Sequence, residues 1–301
     1  MSERRRAVRG AAGVRPLWLT LAPVIFLGLW SGGYVVAKIG IEYAPPLTLL
    51  ALRYAFVVLL MAVLFVILRP PLPKTRADWG HLAVVGLLIQ AVYFGFSYLA
   101  FRDGVASGTV ALIMSLQPIL VAIVAPIWTD EHVGWRRWIG LGMGLAGTVI
   151  VIVARSVIAV PSPAGLAFCA AALAGMTIAT LWEKRFGLSH HPVTASLIGF
   201  VAGFAVILPV ALWLEDPVVQ WTWSFAGALG YLVIGNSLIA ISLLLAMIRA
   251  GEVSRVSALL FLVPPLAALM AWPVLGEVMP PLAWAGMALA GAGVLIATRA
   301  R

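Results

Sequence analysis

The chain has 301 residues, 63% of them hydrophobic and only 10% charged, a balance that excludes a soluble globule of this size. Its formal charge of +9 sits in short clusters between apolar runs and not on one basic face, which argues against a nucleic-acid partner. The single cysteine, Cys169, excludes an internal disulfide, and its Ala and Leu neighbours leave it a packing role.

Apolar runs of roughly 17 to 25 residues recur along the whole length, each enough to cross a hydrocarbon core about 30 Å thick. They are unbroken and do not alternate, so they predict helices and not barrel strands. The expectation is an all-α membrane protein with ten transmembrane helices, whose medium is the lipid bilayer.

Span 1 covers residues 17–37, behind an Arg-rich tail at 1–16. It is longer than a signal h-region and runs on to Lys38 without a cleavage site, so it is expected to remain as a first helix. Near its middle, Trp30, Ser31, Gly32, Gly33 and Tyr34 bring aromatic, polar and small groups together. Most of the 12 tryptophans, such as Trp18, Trp79, Trp182 and Trp213, fall near span ends as interfacial anchors, and Trp30 is the exception.

Span 2, residues 47–68, carries Arg53 about 10 Å inside the helix from its outer end. An ionisable residue at that depth is a functional hypothesis by default. Two roles are open: binding a substrate carboxylate, or a structural role in which Arg53 snorkels outward or pairs with Glu42 or Asp103. In span 3, residues 82–101, Gln90, Tyr93, Phe94 and Ser97 share one aromatic and polar face, suited to a solute cavity or to helix–helix hydrogen bonding.

Span 4, residues 105–127, contains Ser115, Gln117 and Pro118. Span 5, residues 138–154, carries Gly140, Gly144 and Gly147, a spacing for close backbone approach. Span 6 (163–182) supplies Thr177 and Thr180, span 7 (193–214) is almost wholly apolar, and span 8 (225–248) holds Asn236, Ser237 and Ser242. Span 9 (256–275) contains Ser257, Pro264 and Pro265, and span 10 (282–297) contains Gly286 and Gly293. Proline removes an internal hydrogen bond and bends a helix, which makes Pro118, Pro264 and Pro265 hinge or gating candidates.

Basic residues place the spans in the membrane. The Arg-rich tail, Arg69, Lys74 and Arg76, Arg136 and Arg137, Lys184 and Arg185, Arg249 and Arg255, and Arg299 and Arg301 all fall on one side of alternating spans. By the positive-inside rule both termini are cytoplasmic. The other side holds Lys38, Arg102 and Arg155 beside Glu42, Glu215, Asp216 and Glu277.

The chain also repeats itself. Lys38/Lys184, Pro46/Pro192, Thr48/Thr194, Pro118/Pro264, Glu131/Glu277, Trp138/Trp284, Gly140/Gly286 and Gly147/Gly293 all keep a separation of about 146 positions. Two units follow, 17–155 and 156–301. Each holds an odd number of spans, so the second must be inverted, an architecture shared by many secondary transporters.

All 11 acidic residues fall in loops, termini or span ends, and the four histidines, His81, His132, His190 and His191, lie at span edges. No buried general base or metal-ligand cluster follows, so no catalytic residue, metal or cofactor is expected. A cation pump built on a buried glutamate is disfavoured for the same reason. The substrate-contact candidates are Trp30, Ser31, Tyr34, Arg53, Gln90, Tyr93, Phe94, Gln117, Thr177, Asn236 and Ser237.

Taken together, Leu29-Trp30-Ser31-Gly32-Gly33, Lys38, Pro45-Pro46, Leu52-Arg53-Tyr54 and Leu116-Gln117-Pro118 resemble the EamA unit of the drug/metabolite transporter superfamily. Val263-Pro264-Pro265 and Leu275-Gly276-Glu277 extend the resemblance through the second copy. It implies an inner-membrane carrier, commonly an exporter of amino acids or other metabolites, with spans 1, 3, 4, 6, 8 and 9 around a central path and spans 5 and 10 as support. The pattern departs from symmetry at Arg53, whose counterpart is Gly199. The expected function is alternating-access export of a small polar or zwitterionic solute, running downhill or exchanging with protons, with no oligomer required. A membrane enzyme or scaffold subunit and a passive channel are the competing readings.

Overall fold

The computed structural model describes residues 17–128, 134–155, 162–186, 190–249, 259, 262–275 and 280–299. The tail at 1–16, Glu131, Ser257 and Glu277 lie outside the described residues. Among the described residues all regular structure is helical and no strand occurs. The helices are α1 (Leu17–Gly40), α2 (Pro46–Leu68), α3 (Arg76–Arg102), α4 (Ser107–Ser115), α5 (Gln117–Trp128) and α6 (Trp135–Arg155). They continue as α7 (Pro163–Phe186), α8 (Pro192–Leu214), α9 (residues 223–249), α10 (Val263–Leu275) and α11 (Pro281–Arg299).

Among the described residues, seven helical stretches are long and apolar enough to cross a bilayer: α1, α2, α3, the α4–α5 stretch Ser107–Val124, α7, α8 and α9. Spans 5 and 9 correspond to shorter apolar stretches, Trp138–Val151 and Val263–Leu275, and span 10 to α11. Large apolar side chains face outward along the bundle, including Leu59, Val66, Ile67 and Leu212, as a lipid-facing surface requires. Trp213, Trp221 and Trp223 are exposed together at one end, and Trp223 is 94% exposed, a placement suited to a membrane interface.

Local chemistry sets the helix starts. Pro46 and Pro192 open α2 and α8, where a missing N–H costs nothing. Thr75 and Asp78 form a reciprocal capping box at α3: Asp78 N–H donates to Thr75 Oγ1 at 3.1 Å and Thr75 N–H to Asp78 Oδ2 at 3.3 Å.

Span 4 is not one bent helix, as a mid-helix proline suggested, but two. It breaks at Leu116, whose N–H reaches Ile113 O at 3.1 Å in a tightened turn, and Pro118 then occupies the first turn of α5. Pro264 and Pro265 likewise stand in the first turn of described α10, and residues 250–258 before them lie outside the described residues.

Two helices widen at matched places. Leu87–Phe94 in α3 and Tyr231–Ala240 in α9 are π-helical and stand at about the repeat separation. Gln90 and Asn236, two amides that stand at the same repeat separation, fall inside them. The wider winding leaves i→i−5 geometry, and Ser237 Oγ follows it by donating to Leu232 O at 3.0 Å.

Helices α6 and α11 pack backbone to backbone. A Cβ at Gly147 would lie 2.5 Å from Gly286 O, and one at Gly293 would lie 2.4 Å from Gly144 N. These glycines therefore permit the close approach that their spacing predicted. Helices α3 and α8 meet in the same way where Gly86 faces Gly199.

A carboxylate joins the halves at one end of α2. Glu215, just past α8, accepts from Leu47 N at 3.0 Å, Thr48 N at 2.8 Å and Thr48 Oγ1 at 2.9 Å. It thus caps a helix N-terminus some 170 residues away in sequence, where free N–H groups and the helix dipole favour an anion. The repeat does not reproduce this cap: Thr194, the counterpart of Thr48, donates to Pro71 O at 3.1 Å. Glu215→Gln retains one good acceptor and no charge, so it is expected to lower stability by about 1–2 kcal/mol. Thermal unfolding of the purified protein in detergent checks this, with an unchanged midpoint as the contrary result.

Candidate substrate cavity

Arg53 is the centre of the buried polar cluster. It is only 1% exposed, so it does not snorkel, and among the described residues no carboxylate forms an ion pair with it. Asp103, one partner expected from the sequence, is instead hydrogen-bonded by Ser162 ahead of α7. The guanidinium donates to three neutral oxygens: Nε to Ser237 Oγ at 2.9 Å, Nη1 to Tyr98 OH at 3.3 Å and Nη2 to Asn236 Oδ1 at 2.7 Å. Its Cζ stands 4.5 Å from the centroid of the Phe94 ring, a cation–π contact.

Each group is placed by backbone geometry. Asn236 also donates through Nδ2 to Leu29 O at 3.3 Å, tying α9 to α1. Gly33 makes room for that contact, since a Cβ there would lie 2.3 Å from Asn236 Nδ2. Gly32 does the same for Tyr231, whose hydroxyl donates to Leu29 O at 3.1 Å. The Gly32-Gly33 pair beside Trp30 thus has a concrete function in letting α9 approach α1.

Two cavities of about 20 Å³ each flank an aromatic layer. Each has room for about one water and none for a metabolite. Trp30, Tyr34 and Tyr93 line both, and the Tyr34 and Tyr93 hydroxyls hydrogen-bond at 2.8 Å across the layer. Arg53, Phe94, Ser97, Tyr98 and Asn236 border one cavity. Met114, Ser115, Gln117, Met176 and Val263 border the other. Both cavities draw on the two halves of the chain, and neither is bordered by α6 or α11.

Of the residues proposed from sequence, Trp30, Tyr34, Arg53, Tyr93, Phe94, Gln117 and Asn236 line these cavities. Ser237 lies behind Arg53 as an acceptor. Ser31, Gln90 and Thr177 are buried but border neither cavity. Gln90 sits against α8, where its Cβ would be 2.3 Å from a Cβ at Gly203, and Thr177 returns its hydroxyl to Leu173 O at 2.8 Å. Gln117 is held by Thr180, donating Nε2 to Oγ1 at 2.8 Å.

Tyr98 was missing from the contact candidates although it accepts from Arg53. Its position four residues after Phe94, on the same helical face, was the available signal. Met114 and Met176 carried none, because a methionine in an apolar run is indistinguishable from core.

Several relatives share most of this chain. It is 25% identical over 272 residues to the inner membrane transporter YedA of Escherichia coli K12, covering 90% of this chain and 87% of that protein. A Salmonella typhimurium protein named "probable amino-acid metabolite efflux pump" is 24% identical over 278 residues, covering 89% and 90%. A Streptantibioticus cattleyicolor protein named "probable terminal-alkyne amino-acid exporter" is 26% identical over 288 residues, covering 95% and 94%. A crystal structure at 23% identity superposes with a TM-score of 0.74 over 93% of this chain and 96% of that one, a likeness of fold. The EamA-like transporter family matches residues 16–153 and again 163–299, once in each half, and the chain is accordingly a membrane protein that belongs to this family.

Proposed function

We propose that the protein is a secondary transporter of the inner membrane that exports small polar or zwitterionic metabolites, such as amino acids, by alternating access. In this reading ten membrane helices form two inverted five-helix repeats, 17–155 and 156–301, with both termini cytoplasmic. The observation that carries it is the shared ownership of the cavity: Arg53 comes from the first half, and its acceptors Asn236 and Ser237 come from the second. A site assembled across two halves changes its access when the halves move against each other.

The closed volumes support a carrier over an open pore. Substrate entry requires Tyr34 and Tyr93 to part, and the aromatic layer they form then acts as a gate between the Arg53 and Gln117 compartments. The α4–α5 break before Pro118 and the first turn of α10 at Pro264 and Pro265 are the places where a helix bends without losing a backbone hydrogen bond. Trp30, Tyr34, Tyr93, Gln117 and Asn236 contact the solute, with Arg53 on its carboxylate. The names of the relatives support starting with amino acids and their derivatives as solutes to try.

Purified protein in proteoliposomes is expected to move members of a labelled amino-acid and metabolite panel above empty vesicles. Running the panel with and without a pH gradient separates proton exchange from downhill movement. If folded protein moves nothing in the panel in either condition, the carrier reading fails.

A further inference from the structure

We propose that the Arg53 compartment selects an organic monocarboxylate with an apolar or aromatic body, in preference to the zwitterion that bears an added ammonium group. The inference rests on the carrier reading above, keeps the solute's carboxylate on Arg53, and departs from that reading in replacing zwitterionic amino acids by anions that lack the ammonium group.

A guanidinium buried to 1% exposure keeps its charge, because arginine is not deprotonated in proteins. Its three hydrogen-bond acceptors are a hydroxyl, a phenol and an amide, which satisfy N–H groups but supply no negative charge. Arginine has five N–H donors, so these three bonds leave one on each terminal nitrogen, and guanidinium N–H groups bind carboxylates well. The Phe94 face offsets part of the charge and no more. Among the described residues no carboxylate forms an ion pair with Arg53, so none of them supplies a counter-ion.

A second group points the same way. Ser97 Oγ is buried, borders the Arg53 cavity and has no hydrogen-bond partner among the described residues. An unpartnered buried hydroxyl on the same cavity as a guanidinium that no described carboxylate neutralises fits a site completed by an anionic acceptor. The other walls, Trp30, Phe94, Tyr98 and Phe101, are aromatic and suit an apolar body. They include no carboxylate for an ammonium group, which would stand close to the guanidinium in a medium of low dielectric. Like charges in that medium repel strongly, so the zwitterion loses what its carboxylate gains.

Four matched probes test the charge rule by binding to the solubilised protein: 3-phenylpropionate, phenylalanine, 3-phenylpropionamide and phenethylamine. The anion is expected to bind at least about tenfold more tightly than the amide and than phenylalanine, with phenethylamine weakest. Arg53→Gln is expected to erase the difference between anion and amide, and Arg53→Lys to keep part of it. Equal binding of anion and amide, tighter binding of phenylalanine, or binding of none of the four overturns the proposal. Should Arg53→Gln fail to fold, the wild-type comparison decides by itself. Because the measurement needs no vesicle, its failure is distinct from that of the carrier reading, which is judged by uptake alone.

Discussion

Replacing Arg53 by methionine is expected to cut transport by roughly 10- to 100-fold, the equivalent of losing charged hydrogen bonds of about 1.5–3 kcal/mol. Stability is expected to change little, by no more than about 2 kcal/mol, because two effects oppose each other. Methionine leaves Asn236 Oδ1, Ser237 Oγ and Tyr98 OH without their shared donor. It also removes the cost of holding a charge in a site where no described residue supplies a counter-ion, which is on the order of several kcal/mol in its own right. Substrate uptake in proteoliposomes and chemical denaturation in detergent, run on the same preparation, separate the outcomes. If stability falls by 3–5 kcal/mol and residual uptake tracks the folded fraction, the arginine serves structure and not substrate.

The second large effect is on assembly. Gly86→Val is expected to destabilise the bundle by about 3 kcal/mol, the upper range for overpacking, and to reduce the yield of folded protein sharply. A Cβ at Gly86 would lie 2.3 Å from Gly199 Cα and 2.7 Å from Gly199 O, so what must yield is backbone on both sides. No side chain there can swing away, and valine is stiff at its first torsion in a helix. The resulting separation of α3 from α8 would also displace Tyr93 and Phe94, which follow on α3. Gly80→Ala, on the same helix but with nothing within 4 Å, is the control and is expected to be neutral or mildly stabilising. Folded yield by size-exclusion chromatography and thermal unfolding read both variants. Wild-type behaviour of Gly86→Val would mean that α3 and α8 do not pack so closely.

Much of the architecture was legible because lipid imposes it. Apolar runs of membrane length appear as helices close to where they were expected, since the backbone in hydrocarbon has no other way to satisfy its polar groups. The glycine spacings of spans 5 and 10 predicted close backbone approach, and the structure makes it between α6 and α11. Arg53 and Asn236 were conspicuous as polar groups in apolar surroundings, and the cavity contains both.

What escaped the sequence depends on partners far away along the chain. Gln90 has the composition of a cavity residue, yet the π-helical winding of α3 sets it against Gly203 while Tyr93 and Phe94 turn inward. Standard α-helical spacing cannot anticipate that rotation. Glu215 was read as part of an acidic face, with nothing local to mark it as the cap of α2. The role of Arg53 divided in the same manner: its depth along the helix followed from its span, but whether it snorkelled outward or met Glu42, Asp103 or neutral groups was decided by packing.

The sequence by itself determined the medium, the helical class and the repeated plan, because each follows from composition or period. Only the tertiary structure decided which polar residues converge. Helix rotation, π-turns and backbone contacts at Gly33, Gly86 and Gly147 are set by the fit between elements distant in the chain. Hydrophobicity fixes that a helix is buried in lipid, and close packing fixes which of its faces meets the cavity.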